Sequence, residues 1–163
     1  MKISDNPYRG TGLDLAGTPY PSGDADGPGA LLALCPSHGE TPLTPVPALS
    51  TRLRGAQLSV KDERARMGLG SFKALGAAYV IASDARAALS EVPQPDAAAW
   101  RQALTGRCYV TASAGNHGLS VAAGAAVFSA NAVVYLAETV PESFADRLRG
   151  KGAEVIREGA IYE

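Results

Sequence analysis

A chain of 163 residues fits one domain of ordinary size, or one domain and part of a second. Lys+Arg 15 against Asp+Glu 16 leaves a net charge of -1, which excludes the strongly basic surface of a nucleic-acid module. A hydrophobic content of 46% excludes a disordered chain, and two cysteines, Cys35 and Cys108, exclude a disulfide framework and point to the reducing cytoplasm.

The N-terminal ten residues lack the apolar core of a secretory signal. The first fifty residues hold eight of the 11 prolines (Pro7, Pro19, Pro21, Pro28, Pro36, Pro42, Pro45 and Pro47). Proline fixes φ and lacks an amide donor, so these fifty residues read as mostly extended arm and loop, the arm proper over 1–38, with a disordered leader over 1–30 as the alternative. Gln57-Leu58-Ser59-Val60 alternates like a short strand. Ser71 is placed to cap a helix that reaches Leu89, with Leu75, Ala78, Tyr79, Ala82, Ala85 and Leu89 on its apolar face. Pro93 and Pro95 break the chain, and residues 96–104 form a second, short helix. Cys108-Tyr109-Val110-Thr111 reads as a buried strand with an inert Cys108. A small-residue turn and an alanine-rich helix from about His117 follow, and residues 132–136 form the next strand. Thr139-Val140-Pro141-Glu142 has capping-box spacing, and Phe144 and Leu148 stand four apart on the helix it starts. Gly150 and Gly152 end that helix, and residues 153–156 begin a third strand.

No charged residue stands between His117 and Glu138, a span long enough to cross a bilayer. Gly124, Ser129 and Asn131 interrupt it, and it is rich in alanine rather than leucine. A buried helix, a turn near Ser129-Ala130-Asn131 and a buried strand account for it better than a membrane segment. The alternation of strand and helix with short connections predicts an α/β fold, a parallel sheet covered by helices. Ligands in such sheets bind at the carboxyl ends of strands, which selects the turn over residues 112–118.

Two places can carry chemistry. In Ser113-Ala114-Gly115-Asn116-His117-Gly118, small residues admit a ligand to the backbone, and a helix start offers unpaired N–H groups to a carboxylate or phosphate. An ordinary strand-to-helix loop is the alternative, and the glycine spacing does not match a dinucleotide fingerprint. In Gly68-Leu69-Gly70-Ser71-Phe72-Lys73, the lysine enters a helix that carries no charge over residues 74–83. The positive end of the helix dipole, and burial, favour the neutral amine that makes Schiff bases. A lysine snorkelling to water from an apolar helix is the alternative.

Together the two segments resemble one family. Val60-Lys61-Asp62-Glu63 with Arg66, Gly68, Gly70-Ser71-Phe72-Lys73 and Leu75-Gly76 resembles the lysine motif of fold-type II pyridoxal-phosphate enzymes, the tryptophan synthase β-like superfamily. Gly39-Glu40-Thr41-Pro42-Leu43 resembles the segment that precedes that motif, and Ser113-Ala114-Gly115-Asn116-His117-Gly118 resembles the family's asparagine loop. Val134-Tyr135-Leu136, Pro141, and the stretch from Arg147 to Val155 resemble the strand, helix and strand that follow. Within the family the likeness is greatest to the diaminopropionate ammonia-lyases, then to the threonine and serine dehydratases.

The resemblance implies a cofactor, pyridoxal 5'-phosphate, held by Lys73 as a Schiff base. The amine of Lys73, once released, would remove the α-proton, and Asn116 would hydrogen-bond the ring 3'-oxygen. Ser113, Ala114, Gly115, Asn116 and His117 would hold the substrate carboxylate, largely through backbone N–H groups. The implied reaction is α,β-elimination from a small amino acid to a 2-oxo acid and ammonia, in a homodimer with no nucleic-acid or membrane partner and no metal. His117 reads as a structural hydrogen-bonder more readily than as an acid or base, and Asp62 and Glu63 read as structural. Ala114 stands where the ammonia-lyases carry an aspartate that acts on the D-isomer, so that chemistry is not carried over. The family's glycine-rich phosphate cradle lies in its second half, and no G-G-G-type loop occurs here after Gly124. The expectation is therefore the N-terminal part of the fold, incomplete at the C-terminus: an arm over 1–38, part of the larger cofactor domain over 39–75, and a small α/β domain over 76–163. The alternatives are a non-catalytic fragment or subunit, a serine or threonine dehydratase, and a β-replacement synthase.

Overall fold

The computed structural model describes residues 22–53 and 57–161, together with Pro7, Gly10 and Gly17. In chain order the elements are α1 (Asp26–Ala33), β1 (Leu43–Pro45), α2 (Pro47–Arg52), β2 (Ser59–Lys61), a 3-10 turn (Arg66–Gly68), α3 (Lys73–Ala88), α4 (Ala97–Gln102), β3 (Cys108–Thr111), α5 (Asn116–Val127), β4 (Asn131–Leu136), α6 (Glu142–Arg149) and β5 (Glu154–Arg157). Strands β3, β4 and β5 form a parallel sheet in that spatial order, with Val110 opposite Val133 and Val134 opposite Val155. Strands β1 and β2 pair antiparallel in a separate two-stranded ladder, Thr44 opposite Val60.

The sheet is parallel because each strand is joined to the next by a helix that must cross back over one face. Helix α5 supplies that cover with Leu119, Val121, Ala122 and Ala125, which pack on Ala132, Val134 and Leu136 of β4 and on Ala145 and Leu148 of α6. A smaller cluster of Ile81, Ala85 and Leu104, with Trp100 and Phe128 against it, joins α3 and α4 to the end of α5. The charge-free span from His117 is thus a helix, a turn with Ser129 at φ 57° and a strand. Among the described residues no helix is long and apolar enough to cross a membrane.

Several expectations need correction. Most of residues 1–21 lie outside the described residues, but the proline-rich part that is described is not simply extended: it holds α1 and α2. Pro47 opens α2, and Pro28 falls in the first turn of α1, where a missing N–H forfeits no helical bond. Leu31 of α1 is buried, and Gly27 faces Tyr79 of α3. On α3 the buried positions are Ala74, Ala77, Ile81 and Ala85, a stripe rotated from the expected one, with Tyr79 exposed. Small residues win that face because α5 lies close against it: a Cβ on Gly124 would stand 2.9 Å from Ile81 Cδ1. Strand β3 is not buried. Among the described residues it pairs only with β4, and Cys108 and Val110 are exposed. The capping box does not form either. Pro141 is the N-cap of α6 with no side-chain bond, and Thr139 Oγ1 donates to Ala160 O (3.0 Å) instead.

Candidate active site

The backbone that delivers Lys73 turns sharply. Between β2 and α3, Met67 (φ 49°), Gly68 (φ 66°) and Gly70 (φ 80°) all adopt positive φ, a conformation glycine accepts without a steric penalty. The segment is pinned by Arg66, 7% exposed, whose Nε donates to Glu63 Oε2 (2.7 Å), Nη2 to Thr41 Oγ1 (2.7 Å) and Nη1 to Gly39 O (3.0 Å). Thr41 Oγ1 donates in turn to Glu63 Oε1 (2.5 Å), so each charged group in the cluster is partnered. The Arg66 guanidinium, then Thr41, hold the Glu63 carboxyl down from 4.5 to about 2. Ser71 does not occupy the N-cap, which is Phe72, yet its Oγ accepts the Lys73 N–H (3.2 Å).

Lys73 then opens into a groove of about 480 Å³. Phe72, Gly76 and Val80 line it from the α3 side, Tyr109, Val110 and Thr111 from β3, and His117 and Val121 from α5. The groove therefore lies at the carboxyl end of a parallel strand, beside the start of the following helix. Lys73 is exposed rather than buried, so the burial expected for its amine is absent among the described residues. Tyr109 is committed elsewhere: its hydroxyl donates to Asp84 Oδ2 (2.7 Å), and burial, followed by that carboxylate, pushes the phenol up.

Of the residues singled out from sequence, the structure brings Lys73 and His117 to one groove. Ser113, Ala114, Gly115 and Asn116 form the adjoining turn and do not line it. Gly115 is the N-cap of α5 and makes no side-chain bond, which leaves first-turn N–H groups for a ligand. The turn is held hard against α5: a Cβ on Gly118 would stand 2.1 Å from Ser113 O. Asp62 and Glu63 lie outside the groove, in ion pairs with Arg64 and Arg66. Two further positions emerge from the structure: Arg66 as a hub, and Ser120. The i,i+3 spacing of Glu63 and Arg66 was the available signal for the first, whereas a serine inside an alanine-rich helix gave none.

The donor set suits pyridoxal phosphate: a primary amine for its aldehyde, space beside that amine, and a helix start suited to an anion.

Comparison with known proteins agrees. The family model described as pyridoxal-phosphate dependent enzyme matches residues 34–163. Diaminopropionate ammonia-lyase of Salmonella typhimurium is 33% identical over 125 residues, which is 73% of this chain and 31% of that protein. The solved holo form of the Escherichia coli ammonia-lyase superposes with a TM-score of 0.71 at 28% identity, covering 83% of this chain and 35% of that one. The same enzyme in complex with D-serine gives 0.68 at 29% identity, covering 83% and 36%. The chain thus spans about a third of the length of these relatives and shares their fold, that of the fold-type II enzymes. Since the family match takes in both the lysine segment and the asparagine loop, the chain belongs to the pyridoxal-phosphate dependent enzymes, and its cofactor is pyridoxal phosphate.

Proposed function

We propose that the chain serves a lyase that carries out α,β-elimination on a small amino acid, with diaminopropionate as the substrate and ammonia and a 2-oxo acid as products. The observation that carries this reading is the shared groove of Lys73 and His117, supported by the likeness to ammonia-lyases along most of the chain. When bound, the cofactor supplies an electron sink for the pair left on Cα. The protein's own residues bind, orient and move the proton. Lys73 Nζ would hold the cofactor, and its free amine would accept the Cα proton. Backbone N–H groups of the turn Ser113, Ala114 and Gly115 and of the α5 start at Asn116 and His117 hold the substrate carboxylate and so fix the Cα–H bond relative to Lys73. Asn116 would hydrogen-bond the cofactor's ring oxygen. Loss of the Cα proton and of the β-amino group as ammonia is followed by hydrolysis, which yields the 2-oxo acid and a second ammonia.

The organisation that goes with this reading is an arm over 1–38, a portion of the larger cofactor domain over 39–75 and a small α/β domain over 76–163, with α3 continuous across the second boundary. A homodimer in the cytoplasm is the proposed setting. The test is an absorption titration with pyridoxal phosphate, followed by an ammonia assay with diaminopropionate. A visible band that Lys73→Ala abolishes is the expected result; a band that persists in that variant, or none in the parent chain, overturns the assignment of Lys73.

A further inference from the structure

Ser120 lies on the third residue after His117 and is 1% exposed. A serine inside a helix ordinarily returns its hydroxyl to the carbonyl four residues back. Here Ser120 Oγ reaches across to α3 and donates to Ala74 O (3.0 Å), the backbone of the residue after Lys73. Ala74 is itself fully buried, so no water competes for that carbonyl at its surface. The other bonds recorded around that turn are local: Lys73 N–H to Ser71 Oγ, Ala74 N–H to Ser71 O and Leu75 N–H to Phe72 O.

From this we propose that Ser120 is a positioning residue for Lys73, an inference that rests on the assignment of Lys73 as the cofactor lysine. One hydroxyl ties the turn that carries the amine to the turn that carries His117, and so sets the relative placement of the two side chains in the groove. Further along, α3 and α5 meet again where Gly124 faces Ile81, and Ala77 and Val121 both lie at the groove between these helices. That second contact keeps the helices packed when the hydroxyl is removed, so the effect of its loss is confined to the first turn of α3.

The test compares the parent chain with Ser120→Ala, which is smaller, and Ser120→Cys, which keeps the shape at a slightly larger volume, and both give up the strong donor. Lysine amines are reductively methylated with ¹³C-formaldehyde, and the Lys73 signal is assigned by its absence in Lys73→Ala. In both variants the Lys73 signal is expected to shift and the amides of Ala77 and Ala78 to exchange faster, while the β4 amides keep their protection. Pyridoxal phosphate titration is expected to show about 10-fold weaker formation of the Lys73-dependent band, the scale of one lost neutral hydrogen bond. An unmoved Lys73 signal overturns the proposal, as does loss of β4 protection, which makes Ser120 a packing residue. If the Lys73 signal moves while the parent chain forms no band, the positioning role stands and the cofactor assignment fails.

Discussion

Gly76 stands three residues beyond Lys73 in α3 and lines the same groove, and a Cβ built on it meets nothing within 4 Å. Glycine inside a helix is less favourable than alanine by about 0.8–1.0 kcal/mol. Gly76→Ala is therefore expected to raise the unfolding free energy by about that amount, while its methyl group narrows the groove and weakens pyridoxal phosphate binding. Urea unfolding and an absorption titration on one preparation read both; binding that is unchanged or improved would take Gly76 out of the site. Glu63 gives a second prediction. Its carboxyl is lowered from 4.5 to about 2 in the folded chain, so the unfolded chain binds its proton more readily. The resulting stabilisation is complete above pH 4.5 and is lost as the pH falls toward 2, and Glu63→Gln should remove it. Asp62 is lowered similarly by Arg64, but Arg64 is 89% exposed. Salt should therefore erase the acid-limb effect of Asp62→Asn and leave that of Glu63→Gln largely intact. At this scale the sequence singles out Lys73 and His117, whose types are unusual for their surroundings, and the structure brings both to one groove. The sequence could not disclose Ser120, whose partner Ala74 is 46 residues away, and for Arg66 it shows only the spacing to Glu63, since Gly39 and Thr41 are 27 and 25 residues away along the chain.

Helix α5 is gripped at two glycines, and the neighbour at each decides what a methyl group costs. At Gly118 the obstacle is the backbone carbonyl of Ser113, 2.1 Å from the added Cβ, with Leu148 Cδ2 at 3.3 Å. Nothing there can rotate aside, so Gly118→Ala must displace the turn that carries Asn116 and His117. A loss at or above the upper end of the overpacking range, about 3 kcal/mol, is expected in urea unfolding. At Gly124 the near atom is Ile81 Cδ1 at 2.9 Å, the tip of a side chain with other rotamers. Gly124→Ala should cost little, about 1 kcal/mol or less after the helix-propensity gain. Equal losses at the two sites would contradict this account of the grip. The element boundaries around α5 and β4 were legible because a charge-free run broken by Ser129 and Asn131 leaves few ways to divide it. The buried face of α3 was not. Its residues 74–82 are apolar on every side, so periodicity alone cannot choose a stripe, and the choice falls to the close approach of α5. Strand β3 departs from expectation for a related reason: Cys108-Tyr109-Val110-Thr111 has the composition of a buried strand, whereas its place at the end of the sheet order is set by tertiary pairing.

Over the whole molecule, stability is distributed unevenly. The parallel sheet is backed by α5 and α6, and Val134, Ala145 and Leu148 have no exposed surface. The β1–β2 ladder has every residue exposed, and an isolated two-stranded ladder is marginal in water. What anchors it is polar. Lys61 Nζ donates to Thr41 O (2.5 Å), Asp62 N–H to Pro42 O (2.9 Å), and Thr41 joins the buried Arg66–Glu63 cluster. That cluster also fixes the turn leading to Lys73, so the ladder, the turn and the amine depend on the same few bonds. Native-state hydrogen exchange should therefore find two levels of opening, a low one for the amides of β1 and β2 and the global one for those of β4 and α5. Glu63→Gln leaves the buried Arg66 guanidinium without its counter-charge. It is expected to speed exchange in the β1–β2 ladder at neutral pH by at least 10-fold, the scale of one charge-assisted hydrogen bond, with β4 unchanged. If β4 accelerates in step with the ladder, the two sheets open as one unit and the polar cluster belongs to the global core.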